Sequence, residues 1–345
     1  MKVDIKSLSF EEIRSFITGL GEPEFRAQQV FNWLFAKGVV NFESMSNLPA
    51  RLRERLSEAA FISEPVLVSR RVNGDGLAVK FLYRLSDGET IETVFIRRLW
   101  GRTVCISTQV GCRMGCRFCA SGVGGLVRNL TAGEMYDQVL FTQKETGERI
   151  SHVVLMGMGE PFDNLENTFR FLRNITHPAG LKIGARRITV STCGVVPGIY
   201  ALARLRLQVG LAVSLHAPND DLRNKLMPVN RRYPLSELIQ ACREYVRCTG
   251  RRVTFEYTLL SGINDQPQKA EQLANLLNGL LCHVNLIPLN RVAEREFLPV
   301  PPERVVAFKN ALRDRGVAVT VRRSVGGQIA AACGQLRHYH ERSGR

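Results

Sequence analysis

The chain of 345 residues is 45% hydrophobic and 8% aromatic, which is enough apolar material for a large core and excludes a disordered protein. Its formal net charge of +15 comes largely from arginine doublets spread along the sequence, and this balance favours a polyanionic partner. No uninterrupted apolar segment has the length of a signal peptide or a membrane span, so we predict a cytoplasmic protein without membrane contact.

The first element predicted is a small all-helical module over residues 1–60. Ser9-x-x-Glu12 has the spacing of a capping box at a helix start. Pro23 can begin a second helix and Gly38 can end it, because proline suits the first turn and glycine suits the left-handed residue after the last turn.

Residues 61–102 predict a short antiparallel β extension. Three alternating runs, VLVSRRV, LAVKFLYRL and TIETVFIRR, are separated by NGDG and SDGE. Both separators are typical hairpin turns, because glycine and asparagine or aspartate tolerate positive φ.

From residue 103 to residue 345, strands alternate with helices. We predict strands near residues 103–108, 152–157, 187–192, 210–215, 252–260, 282–288 and 317–322. Thr131-x-x-Glu134 is predicted to cap the first helix between them, and Asp163-x-x-Glu166 the second. Repeated β/α units predict a parallel sheet that is closed or partly closed into a barrel.

Polar or glycine-rich residues follow these strands in a regular way. They are GMGEP after the second strand, Ser191-Thr192 at the end of the third, Ser214-Leu215-His216 at the end of the fourth, and Asn290 after the sixth. In α/β barrels the carboxyl ends of the strands carry the active site. We therefore expect these residues to converge at one mouth.

Three cysteines, Cys112, Cys116 and Cys119, follow the first strand with the spacing C-x3-C-x2-C. Structural zinc sites take four protein ligands and the usual iron-sulfur cubane takes four cysteines, so three thiolates leave one metal corner open. The spacing favours a cubane cluster. The alternative is a zinc site that uses Cys105, on the preceding strand, as its fourth ligand.

The total of nine cysteines is odd and comes without an export signal, so a framework of structural disulfides is not expected. Cys193, Cys242, Cys248 and Cys282 fall mostly in apolar segments and are interpreted as small core residues.

An open iron corner can chelate the amino and carboxylate groups of S-adenosylmethionine. The remaining contacts of that cofactor require backbone that approaches closely and a carboxylate for its ammonium group. Gly157, Gly159 and Glu160 in MGMGEP offer both, although a glycine-rich turn after a strand is also simply a tight βα loop.

A set of strings extends over nearly the whole chain in a fixed order: FRAQQVFNWLF, IETVFI, the cysteine loop, MGMGEP, VSTCGVVP, VSLHAPNDDLR, NLIPLN and AACGQL. On these strings the sequence resembles the radical S-adenosylmethionine (radical SAM) superfamily and, within it, the RlmN/Cfr family of RNA adenine methyltransferases. The resemblance implies an α/β fold, a partial (β/α)6-type barrel with a helical N-terminal module and a short antiparallel extension.

The resemblance also implies site residues. Cys112, Cys116 and Cys119 would hold one [4Fe-4S] cluster. The residues that would contact S-adenosylmethionine are Gly159, Glu160, Ser191, Ser214, Leu215, His216 and Asn290.

The resemblance gives three further residues a role. The adenine carbon C2 lies between two ring nitrogens and is too electron-poor to attack a methyl electrophile, so the family carries the methyl group on a cysteine, which matches Cys333 here. Cys105 is our candidate for releasing the methylated RNA through a transient disulfide. Glu92 matches the family's proton acceptor, whereas by itself it would be interpreted as an ordinary strand carboxylate.

RlmN-like members make 2-methyladenosine in 23S rRNA (nucleotide 2503) and in some tRNAs (nucleotide 37), and Cfr-like members methylate C8 of the same rRNA adenosine. Pro161 favours the RlmN-like activity. Gln328 departs from the family, which usually has aspartate at that position.

We also predict an electron donor such as flavodoxin or ferredoxin, and a monomer. The alternative from another class is a zinc-containing RNA-binding protein without catalytic activity.

Overall fold

A computed structural model describes residues 2–290, 292, 295–322 and 326–336. The strands are β1 Val3–Asp4, β2 Ala60–Phe61, β3 Val66–Val72, β4 Ala78–Arg84, β5 Thr90–Arg98, β6 Gly101–Cys105, β7 Gln109–Gly111, β8 Leu126–Asn129, β9 His152–Leu155, β10 Ile188–Thr192, β11 Gly210–Ser214, β12 Val253–Leu259, β13 Cys282–Pro288 and β14 Val319–Val321. The helices are α1 Phe10–Gly19, α2 Phe25–Asn32, α3 Ala50–Ala59, α4 Ala132–Thr146, α5 Leu165–Thr176, α6 Val196–Arg204, α7 Asp220–Leu226, α8 Leu235–Thr249, α9 Pro267–Leu276 and α10 Pro302–Arg313. Within these ranges no helix combines the length and apolar character needed to cross a membrane.

The N-terminal region is helical, as its capping signals predict. The Ser9 hydroxyl accepts a hydrogen bond from the Glu12 amide (3.2 Å), and the Glu12 carboxylate accepts one from the Ser9 amide (2.7 Å). α2 continues into a π-helical turn, Trp33–Lys37, and ends at Gly38 with φ +64°. β1 pairs in parallel with β2, so the first and last residues of the region lie side by side.

This region is fixed to the first barrel helix by buried polar contacts. Lys6 and Asp137 of α4 form an ion pair that solvent does not reach. The Tyr136 hydroxyl donates to the carbonyl of Phe35 (2.7 Å). A buried charge needs a partner, so these contacts make the orientation of the helical region specific.

One sheet of ten strands organises the rest of the described chain. Its order is β14-β13-β12-β11-β10-β9-β6-β5-β4-β3, with β6 and β9 to β14 parallel and β3 to β6 antiparallel. The two edge strands, β3 and β14, do not pair, so the barrel is partial and the predicted α/β fold class is confirmed. NGDG and SDGE form the two predicted hairpin turns. The boundaries at residues 60 and 102 stay predictions, because the antiparallel strands continue the same sheet.

The predicted capping role of Asp163 is wrong, whereas the capping box of Thr131 and Glu134 is confirmed. Pro161 starts a short 3-10 turn that contains Asp163, and α5 begins only at Leu165. Asp163 instead accepts hydrogen bonds from Gln109 (2.9 Å) and pairs with Arg113 in the cysteine loop. The aspartate therefore links two loops of the mouth.

A small apolar cluster separate from the main core lies beneath the cysteine loop. Its buried members are Phe118, Cys193, Ala217, Leu226, Met227 and Leu260.

Cys242 lies in the main core as expected, but Cys248 is exposed, so the prediction that it is a core residue is wrong. All nine cysteines are free thiols in the structure.

Candidate functional site

The sequence-predicted mouth is a solvent-open cleft of about 1040 Å³ at the carboxyl ends of the parallel strands. It brings together predicted site residues from six separate segments of the chain. The predicted site residues that line it are Cys112, Cys116, Cys119, Gly159, Glu160, Ser191, Ser214, His216, Asn290 and Cys333.

The cysteine loop is held by backbone contacts of its own. Gly111 has φ +77°, and a Cβ there would collide with the carbonyl of Gly125. That carbonyl accepts a hydrogen bond from the Cys112 amide (2.7 Å). The loop therefore closes tightly just before its first cysteine, and only glycine permits this closure.

The donor set fits an iron-sulfur cluster. Burial, with Cys119 and Glu160 adding to it, raises the pKa of the Cys112 thiol to about 12, so this thiol needs a cationic partner to become a ligand. No three His, Cys, Asp or Glu side chains in the described ranges converge on a single-ion site. A cubane requires less convergence, because each thiolate binds a different iron.

Glu160 is a buried carboxylate with fixed orientation. Its two oxygens accept hydrogen bonds from the amides of Cys193 (2.7 Å) and Phe162 (3.1 Å). Burial raises the pKa of Glu160, and these hydrogen bonds oppose the rise. Gly159 has φ +97°, and a Cβ there would lie 2.6 Å from the Gln109 side chain. The turn therefore packs against β7 so closely that a glycine is required.

His216 ends the segment after β11 in a left-handed conformation, with φ +57°. Its Nδ1 accepts a hydrogen bond from the Thr258 amide (2.9 Å), so the ring hydrogen is on Nε2. Burial lowers its pKa to about 3, and the imidazole is neutral at physiological pH. The ring of Phe118, from the cysteine loop, packs edge to face against the His216 ring, with the ring centroids 4.7 Å apart. Leu215 does not line the cleft, because its side chain packs in the main core.

Arg223 is a site residue that the sequence reasoning missed. It is completely buried and donates hydrogen bonds to the carbonyls of Cys193 (2.6 Å), Ser214 (3.1 Å) and Leu215 (3.1 Å), and to the amide oxygen of Asn230 (2.7 Å). It therefore ties together the ends of β10 and β11. Its presence in the string VSLHAPNDDLR was the only available signal.

A second, smaller cavity adjoins the cleft. Cys105 of β6 lines it, with Val94, Ile96 and Arg98 of β5. Cys333 lines both the cleft and this cavity, and its carbonyl accepts a hydrogen bond from Asn290 (3.3 Å). The structure therefore brings the two cysteines together at the junction with the cleft.

Arg322 belongs to one of the arginine doublets of the sequence and is a second site residue that the sequence motifs do not single out. It lines both cavities. The Cys333 thiol is the largest influence raising the pKa of Arg322, with Glu256 and Cys105 acting in the same direction. The Arg322 guanidinium therefore lies near the thiols of Cys105 and Cys333 and near the Glu256 carboxylate. Its doublet partner Arg323 lies outside the described residues.

Glu92 lies on the face of β5 that lines the second cavity, two residues before Val94, but it does not itself line either cavity. It is buried and ion-paired with Lys80 at 2.6 Å. Gln328 is exposed, lies close to Gly74 of the first hairpin turn, and lines neither cavity.

The chain matches two family models. Residues 3–62 match the ribosomal RNA large subunit methyltransferase N-terminal domain, and residues 106–274 match the radical SAM superfamily. A probable dual-specificity RNA methyltransferase RlmN from Desulforamulus reducens is 54% identical over 99% of this chain and 97% of the relative. A protein of the same name from Pelotomaculum thermopropionicum is 56% identical over 97% of this chain and 92% of the relative.

A solved structure also resembles the chain over nearly its full length. The radical SAM methyltransferase from Sphaerobacter thermophilus is 50% identical, with a TM-score of 0.92, and the match covers 97% of this chain and 99% of that one. The fold described above therefore has a counterpart of known structure over nearly the whole chain.

Proposed function

Because this chain belongs to the RlmN family of radical SAM RNA methyltransferases, we propose that it forms 2-methyladenosine in 23S rRNA (nucleotide 2503) and in a subset of tRNAs (nucleotide 37). The observation that carries the proposal is the position of Cys333. This thiol lines both the cleft with the three loop cysteines and the cavity with Cys105. A methyl group on Cys333 would therefore be accessible from both.

The family uses a [4Fe-4S] cluster and S-adenosylmethionine. Cys112, Cys116 and Cys119 would hold the cluster, and the other cleft residues would contact S-adenosylmethionine: Gly159, Glu160, Ser191, Ser214, His216, Asn290 and the backbone at Leu215. When bound, these groups supply the methyl group and an alkyl radical. The buried Glu160 carboxylate, held by two amides, suits the orientation of an ammonium group.

Cys333 would carry the methyl carbon, which would lose one hydrogen atom to the alkyl radical and join C2 of the adenine as a CH2 group, with the C2 hydrogen leaving as a proton and the cluster taking up the remaining electron. Cys105 then releases the RNA. In this step the Cys105 thiolate attacks the sulfur of Cys333 and a disulfide forms. The sulfur–carbon bond breaks with its electron pair on carbon, and that carbon is then protonated to a methyl group. Both cysteines line the second cavity, which supports this assignment.

Glu92 is the proposed acceptor of the C2 proton. Its position on the cavity face of β5 supports the assignment, since it lies two residues from Val94 in the cavity lining. Because Lys80 and the buried environment cover the carboxylate, the proton would reach it only when this ion pair rearranges.

Mass spectrometry of nucleosides from cells with and without the protein tests the proposal. We expect 2-methyladenosine in 23S rRNA and tRNA only when the active protein is present, and loss of this nucleoside in cells that carry Cys333→Ala. Formation of 8-methyladenosine instead would establish the Cfr-like activity. Unchanged nucleosides would overturn both. The electron donor, the monomeric state and the cytoplasmic location stay predictions.

A further inference from the structure

The hairpin that joins β5 to β6 has an exposed apolar tip beside the second cavity. Arg98 pairs with Gly101 at the end of the ladder, so Leu99 and Trp100 form a two-residue turn. Leu99 is fully exposed and 66% of Trp100 is exposed. Exposed leucine and tryptophan are uncommon side by side on a protein surface without a partner.

The indole ring of Trp100 has one aromatic neighbour in the described part of the chain. Its ring meets the ring of His152 edge to face, with centroids 5.0 Å apart. Gly101 allows this close approach, because a Cβ at that position would collide with the Ser151 side chain and lie 2.9 Å from the ring of His152. The indole is therefore oriented by the fold while most of its surface stays open.

The charges around the tip are distributed unequally between the two faces of the hairpin. Arg97 and Arg102 both pair with Glu148. Arg98 projects from the opposite face, lines the second cavity and pairs with no carboxylate among the described residues. Burial and the charge of Arg322 lower the pKa of Arg98, so the two guanidinium groups repel one another at the cavity. An anion between them would relieve this repulsion.

An accessible aromatic ring, an apolar neighbour and an uncompensated arginine are the elements that proteins use to bind unpaired RNA. We propose that the hairpin tip is an RNA contact, in which Arg98 binds a backbone phosphate next to the nucleotide whose base enters the second cavity, and Trp100 with Leu99 stacks on a neighbouring unpaired base. This inference rests on the proposed function, in which the adenosine reacts at Cys333, a residue that lines this cavity.

Binding of a tRNA transcript to the full-length protein with its reconstituted cluster tests the contact. We expect Trp100→Ala to raise Kd about 5- to 150-fold, the range for loss of one base–aromatic stack. Arg98→Ala should lower the slope of log K against log salt concentration by about one. The matched controls are Leu281→Ala and Arg252→Ala, which alter an exposed leucine and an exposed arginine that precede β13 and β12 and line neither cavity. Both should bind within about twofold of wild type.

Tryptophan fluorescence provides a second measurement that requires no loss of function. The chain has two tryptophans, so Trp33→Phe leaves Trp100 as the only indole. RNA should quench this emission, because the indole stacks on a base. Unchanged emission together with wild-type Kd values for Trp100→Ala and Arg98→Ala would overturn the inference.

Failure of the inference and failure of the proposed function give different results. If wild-type protein methylates RNA but the tip variants bind RNA normally, only the tip contact is wrong. If wild-type protein methylates no RNA, the proposed function is wrong whatever the variants bind. The melting temperature of Trp100→Ala should equal that of wild type, since this side chain is largely exposed, and that of Arg98→Ala should fall only slightly, since Arg98 is half-buried.

Discussion

The Lys80 ammonium lies 2.6 Å from the Glu92 carboxylate in a position where neither side chain is more than 5% exposed. Lys80 also donates a hydrogen bond to the carbonyl of Ala330 (3.3 Å), three residues before Cys333. One lysine therefore connects the proposed proton acceptor on β5 with the segment that carries the proposed methyl-bearing cysteine.

Replacing Lys80 should destabilise the protein strongly. We expect Lys80→Met to lower the free energy of unfolding by about 3–5 kcal/mol, because it removes the Lys80 ammonium from its ion pair with the buried Glu92 carboxylate. Urea unfolding measures the loss. The double variant Lys80→Met/Glu92→Met should recover much of it, since no uncompensated charge remains. A double variant as unstable as the single one would show that packing, and not the ion pair, determines the stability.

Cys105→Ala should trap RNA on the protein. Without the second thiol, the sulfur–carbon bond to Cys333 persists, so we expect a protein–RNA species that survives denaturation and is visible on a gel. Cys282→Ala is the control, because it removes a cysteine that lies outside both cavities. It should release methylated RNA normally. Free methylated RNA from Cys105→Ala would remove Cys105 from the proposed reaction.

The release step should accelerate as pH rises. Burial, with the neighbouring Cys333 adding to it, raises the pKa of the Cys105 thiol to about 12. Attack requires the thiolate, whose fraction grows about tenfold per pH unit below the pKa. Single-turnover release of RNA from the covalent species should show this dependence between about pH 7 and pH 9. A release rate that does not change with pH would contradict a rate-limiting attack by Cys105.

Arg223→Met should lower both stability and affinity for S-adenosylmethionine. The variant leaves the carbonyls of Cys193, Ser214 and Leu215 without their buried donor, and we expect a loss of about 3–5 kcal/mol in the free energy of unfolding. Urea unfolding and equilibrium dialysis measure the two effects. Arg231→Met, an exposed arginine nearby in sequence, should change neither. Wild-type behaviour of Arg223→Met would refute its positioning role.

Cys116→Ser should abolish the cluster. Wild-type protein, reconstituted without oxygen, should be brown and contain about four irons and four sulfides. The variant should lose most of both, whereas Cys248→Ser should retain them because Cys248 is exposed on α8. Colourless wild-type protein with one tightly bound zinc would support the zinc-containing alternative.

Much of the fold follows from local patterns in the sequence. The capping boxes at Ser9 and Thr131, the left-handed Gly38 and the two hairpin turns lie where the sequence predicts them. Asp163 is the exception, because a proline two residues earlier starts a 3-10 turn and changes which residue precedes the helix. Helix caps and turns depend on neighbouring residues, so a sequence window contains most of the information that determines them.

By itself, the sequence determined the α/β class, the positions of the strands along the chain, the three loop cysteines and the resemblance that identifies the family. Only the tertiary structure decided that Arg223 joins two strand ends, that Arg322 lines the same cavity as Cys105 and Cys333, that Lys80 pairs with Glu92, and that Leu215 faces the core. The physical reason is distance along the chain. A buried charge or thiol takes its properties from groups that the curved sheet brings close, and no local pattern specifies which those groups are.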